Sequence, residues 1–147
     1  MKQAQEIAIA DQYQNRAGTI VEFYMAQIQS ERVINQRARQ YKAAADAGQL
    51  TAPLKRLLDN LGAEEYAVAY MRIRAGLTTL DNYQFQHEKG FMDDSSWNAF
   101  RNSYKSMVTS EMVIALVRSQ PDRYRPSFLD VVDSMIEEAD VEITVDD

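Results

Sequence analysis

Apolar residues recur every three or four positions along almost the whole of this 147-residue chain, and that spacing is the signature of helices. Tyr13, Ala17, Ile20, Val21, Tyr24 and Ile28 form one stripe; Val33, Ile34, Ala38, Tyr41 and Ala45 continue it beyond a polar Gln29–Arg32 patch. At that patch either Ser30 caps a second helix or one long helix bends. No run of six or more residues alternates as a strand does, and the five glycines and three prolines fall mostly where helices would end.

The punctuation divides the rest. Gly48 offers a left-handed helix exit, and Thr51 with Pro53 in the first turn opens a short helix carrying Leu54, Leu57, Leu58 and Leu61 up to Gly62. Glu64 and Glu65 then open a helix whose stripe is Tyr66, Tyr70, Ile73, Leu77, Leu80, Tyr83 and His87, closed by Gly90. Gly76 sits beside that stripe, where it predicts the close approach of another helix. Asp93 is placed to cap the next helix, with Met92 and Trp97 at the two positions of a hydrophobic staple. That helix reads as continuous through Phe100, Tyr104, Met107, Val108, Ile114 and Ala115 toward Ser119. Pro121 and Pro126 mark a rigid connection, and Ser127 reads as the cap of a last helix from Phe128 to about Ala139. The fold class is all-α: an antiparallel bundle of five or six helices with a long N-terminal helix, one domain over residues 1–139. Val141–Val145 alternates like a strand but has no partner, so residues 140–147 read as an acidic tail.

Charge is unevenly spread. Residues 130–147 hold eight acids and no base, whereas residues 1–129 carry 16 bases against 14 acids, so the net −6 is a C-terminal property. The balance argues against nucleic acid as a partner. No cysteine is present, which excludes disulfides and thiolate chemistry, and a lone histidine cannot supply a di-iron Glu-x-x-His pair or a zincin motif. Phosphate-cradling glycine loops and the Gly-x-Ser-x-Gly elbow are missing. The adjacent pairs Glu64/Glu65 and Asp93/Asp94 do not face one another on a helix, and capping accounts for both. The sequence therefore gives no catalytic residue, no metal ligand set and no cofactor. Arg32, Arg37, Arg39 and Lys42 make a local basic stretch that reads as a solvated helix face.

One segment, Leu80-Asp81-Asn82-Tyr83-Gln84-Phe85-Gln86-His87-Glu88-Lys89-Gly90-Phe91-Met92-Asp93-Asp94-Ser95-Ser96-Trp97, resembles a pattern of an uncharacterised bacterial all-helical family. That pattern is roughly Leu-Glu-Asn-x-Tyr-x-Gln, a spacer, then Gly, Leu or Met, Asp and Trp. Arg123–Phe128 is similar to the family's closing element and Leu61–Tyr66 to its entry. The chain departs from it at Asp81, where the family has Glu, and by the Thr51–Leu61 helix, which looks like an insertion. Members often carry an N-terminal transmembrane helix and have no established activity. The resemblance implies a domain tethered to the inner membrane by an upstream anchor, with residues 1–12 as a stalk. The residues as they stand read as a soluble, cytoplasmic chain.

Two functional expectations lead, ahead of a third, an enzyme of unknown type that a strongly shifted carboxylate or His87 in a cleft would reveal. The first is a non-catalytic interaction domain that associates with itself through the Tyr13–Ile28 stripe, or with another protein. The second is a small-molecule sensor with a pocket lined by Tyr83, His87, Trp97 and Tyr104, in which Gly90, Met92, Asp93, Trp97 and Ser127 hold the framework.

Overall fold

The computed structural model describes the backbone of residues 2–145 and the side chains of residues 2–140. Their regular structure is entirely helical: α1 (Lys2–Ile28), α2 (Glu31–Asp46), α3 (Ala52–Leu61), α4 (Ala63–Glu88), α5 (Asp94–Val108), α6 (Glu111–Ser119) and α7 (Pro126–Val145), with a 3-10 turn at Pro121–Arg123. The all-α class stands, but seven α-helices replace the expected five or six. Ser30 does cap a separate helix, accepting from the Val33 amide at 3.3 Å. The helix expected to run unbroken from Asp93 to Ser119 stops at Val108. There the Thr109 hydroxyl bonds back to the Lys105 carbonyl at 2.8 Å, and Ser110 caps α6 through the Val113 amide at 3.4 Å.

Two further boundaries move. Pro126 takes the first position of α7, where its fixed φ fits and its missing N–H is not needed. Ser127 therefore lies inside the first turn rather than at the cap. At the far end the helix overruns the expected stop near Ala139 and continues to Val145. No glycine or proline interrupts that stretch, and a five-residue alternation is too short to distinguish strand from helix. Asp146 and Asp147, the end of the expected tail, lie outside the described residues.

The centre of the molecule is α4, which packs against α1, α2, α3, α5 and α7. Its buried residues surround it, as a helix enclosed by neighbours requires. The stripe read from the sequence meets one set of partners. Tyr66 joins Leu54, Leu58, Met112 and Leu116 at one end, while Leu77 and Leu80 join Trp97, Val113, Phe128, Val132 and Met135 at the other. A second buried face, Ala67, Met71, Ala75, Asn82, Phe85 and Gln86, is less legible as a stripe because alanines and amides interrupt its two large apolar residues, Met71 and Phe85. It lies toward α1.

The α1–α4 seam is antiparallel. Gln86 Nε2 donates to the Ala10 carbonyl at 2.9 Å, and the Tyr13 ring stacks on Phe85 with centroids 4.0 Å apart. The Tyr13–Ile28 stripe is thus turned inward, onto α4 of the same chain. Residues 2–12, expected as a stalk, are helical and exposed except for Ala10, which is buried. Among the described residues, no helix is long and apolar enough to cross a membrane.

Candidate anion-binding groove

The four residues expected to line a pocket lie along the α4–α5 seam, where His87 and Trp97 cover each other and Tyr83 and Tyr104 meet other partners. His87 stacks on Trp97 at 5.5 Å between centroids and meets Asp94 Oδ1 through Nε2 at 2.7 Å. Tyr83 stacks on Phe100 at 4.1 Å, and Tyr104 lies against Gly76 together with Met107. The framework around them is local helix chemistry. Gly90 ends α4 with φ +84°, and Asp93 accepts from the Ser96 amide at 2.6 Å. That hydrogen bond holds the Asp93 carboxyl below its usual range. Met92 packs on the cluster that contains Trp97. Among the described residues, no three metal-binding side chains converge.

Polar side chains converge instead where α1, α4 and the start of α7 meet. Arg125 donates from Nη2 to Asp81 Oδ1 at 2.8 Å and to Gln84 Oε1 at 2.6 Å. It also reaches Glu88 Oε2 from Nη1 at 3.1 Å and the Tyr13 hydroxyl from Nε at 3.0 Å. The Tyr13 hydroxyl in turn donates to Asp81 Oδ2. The guanidinium lies over the stacked rings of Tyr13 and Phe85. Burial, reinforced by the bond to Asp81, pushes the Tyr13 phenol up to about 12. Burial opposes the Arg125 charge, but Asp81 and Tyr13 outweigh it and the net shift is upward. This cluster is a clasp: it joins α1, α4 and the residue before α7, and Arg125 is matched by two carboxylates, Asp81 and Glu88, which leaves a surplus of negative charge.

Beside the clasp the matching stops. A groove of about 590 Å³ opens between α1, α4 and the Arg123–Arg125 connection. Its cationic lining is Arg16, Arg74, Arg123 and Arg125, with Asp81 the one carboxylate. Asp81 is already held by Arg125 and Tyr13. Among the described residues, no carboxylate lies within ion-pair distance of Arg16, Arg74 or Arg123. Arg123 touches the Tyr70 hydroxyl at 3.4 Å, and Arg74 donates to the Tyr124 hydroxyl while its guanidinium carbon stands 5.5 Å from that ring. Phenols are neutral near pH 7, and burial pushes the Tyr124 phenol further up. The half-buried Arg74 charge therefore has no carboxylate partner and its buried Nε has no hydrogen-bond partner; burial opposes the charge, but Tyr124 and Tyr24 outweigh it and the net shift is upward. Ala17, Ile20, Phe23 and Leu77 supply apolar lining to the same groove.

The sequence carried faint signals for this site. Arg74 sits between two otherwise apolar faces of α4, and Arg123-Tyr124-Arg125 packs two bases around an aromatic in a connection. Neither has motif spacing, because the residues come from three separate stretches of chain. The chain matches no family model, no curated protein and no solved structure. The site must be read from its own chemistry.

Proposed function

We propose that this chain is a non-catalytic helical binding domain whose ligand is an anion held in the arginine groove. One observation carries the reading: three arginines without a carboxylate partner line one cavity, and one of them is half-buried. A bound anion would supply the charged partner that the protein does not. The cavity lies within the size range of small-molecule sites. The lining side chains suit holding better than chemistry. Asp81 is locked in the clasp, the Thr78 hydroxyl donates to the Arg74 carbonyl at 2.7 Å, and the tyrosines hold their protons near neutral pH.

The test is thermal unfolding with inorganic phosphate or citrate at matched ionic strength. Bound anion at about five times its Kd raises the midpoint by roughly 2–4 °C. Arg74→Gln abolishes that rise. An unchanged midpoint in every anion, or a rise that survives Arg74→Gln, overturns the reading.

A second reading, self-association, is favoured by Ile7, Ile9, Phe23 and Met25, which are large, apolar and exposed on α1. It would use the flanks of α1, since the Tyr13–Ile28 stripe packs on α4. Light scattering across a concentration series is expected to show a dimer, and a strict monomer at high concentration overturns it.

A further inference from the structure

We infer that the ligand is a single-chain amphiphile, an anionic carboxylate or phosphate head on an unbranched apolar chain, free in solution rather than part of a membrane surface. The inference rests on the anion-groove reading and adds the other half of the ligand. The groove is chemically two-sided. Its polar end is formed by Arg74, Arg123 and the Tyr124 hydroxyl, whose charge has no protein counterpart. Its apolar lining is Ala17, Ile20, Phe23 and Leu77 along the α1–α4 seam, with Phe23 the most exposed of them.

Phe23 identifies the second half. A phenylalanine 55% exposed, on a helix with ample polar positions, leaves apolar surface in water at the rim of a charged cavity. A purely ionic ligand such as phosphate would gain nothing from it. An apolar ligand would leave Arg74 without an anionic partner. A head with a chain answers both. The cavity lies between α1, α4 and the Arg123–Arg125 connection, and about 590 Å³ is within the range of sites that hold a small ligand. Arg125 is not the anchor, because Asp81, Gln84 and Glu88 already hold its donors. The head belongs on Arg74.

The experiment is calorimetric titration of the full chain with acetate, hexanoate, octanoate and decanoate, each below micelle formation, and with octyl phosphate. Affinity is expected to rise roughly two- to fourfold per methylene, the gain from burying each against an apolar wall. Arg74→Gln is expected to remove binding throughout the series. Phe23→Ser changes an exposed side chain and leaves folding intact. It is expected to flatten the chain-length dependence while phosphate still binds. Phosphate binding with no chain-length dependence sinks this inference and leaves the anion groove standing. No binding of any anion sinks both. Chain-length dependence that persists in both variants places the amphiphile elsewhere and overturns the assignment. Binding to phosphatidylglycerol vesicles without binding to decanoate moves the head to a membrane surface and overturns the free ligand.

Discussion

At Gly76 the fold depends on the absence of a side chain. A Cβ there would stand 2.5 Å from Met107 Sδ and 3.9 Å from Tyr104 Cε1, so α5 packs on α4 with its Met107 thioether in the space a side chain would take. Gly76→Ala gains about 1 kcal/mol of helix propensity. It forces the Met107 thioether aside, and overpacking of that kind costs ~1–3 kcal/mol. Met107 is flexible but packed against the core, so the net effect is a loss of about 1 kcal/mol in denaturant unfolding. Met107→Ala in the same background should recover most of it, and purely additive effects would show that the two sites do not touch. Arg74 is balanced differently. Its charge is half-buried without a carboxylate, but Tyr124 and Tyr24 outweigh burial and the net shift is upward, so Arg74→Met is expected to leave ligand-free stability within about 1 kcal/mol of the parent while binding is lost. A destabilised Arg74→Met protein would show that the charge serves the fold.

The elements differ in how far their sequences declare them. Helix class, the Asp93 cap, the Met92–Trp97 staple and the glycine stop at Gly90 rest on residues adjacent in the chain, and all were legible there. The break between α5 and α6 was not, because Thr109 and Ser110 interrupt an apolar period that continues in step on both sides. Their hydroxyl bonds decide the matter, with Ser110 Oγ donating to the Met107 carbonyl at 2.7 Å and capping the following turn. Ser110→Ala is expected to cost about 1 kcal/mol, measured as a lowered urea midpoint with unchanged slope. An unchanged midpoint would mean that packing of Met112 and Val113 alone sets the helix boundary. The groove was illegible for a different reason. Its residues are supplied by α1, α4 and the connection before α7, and only the antiparallel docking of α1 on the amide-bearing face of α4 brings Arg16 to Arg74. Periodicity identifies a buried stripe. It does not say which arginine on the edge of that stripe will find a carboxylate.

At the scale of the whole molecule the tyrosines tie stability to alkaline pH. Tyr13 closes the α1–α4–α7 clasp, while Tyr41 and Tyr66 pack edge-to-face at 5.3 Å where α2 meets α4. Burial is the leading cause that pushes each of these phenols from 10 up to about 12. For Tyr13 the bond to Asp81 adds to it, and for Tyr41 and Tyr66 the neighbouring Tyr70 does. A phenol whose folded value lies above its unfolded value keeps its proton in the native state over a range where the open chain releases it. The unfolded state then binds fewer protons, and stability falls as pH rises through that range. The contribution of these three groups is complete below pH 10 and is lost between pH 10 and 12. Because they occupy both ends of α4, their ionisation loosens α1 and α2 together. Urea midpoints should therefore hold level up to pH 10 and drop steeply above it, with tyrosinate absorbance rising in step with unfolding. Phenols that ionise near pH 10 while the helices remain intact would show that water reaches them in the native state. The Tyr13 clasp and the Tyr41–Tyr66 contact would then be looser than the packing described here.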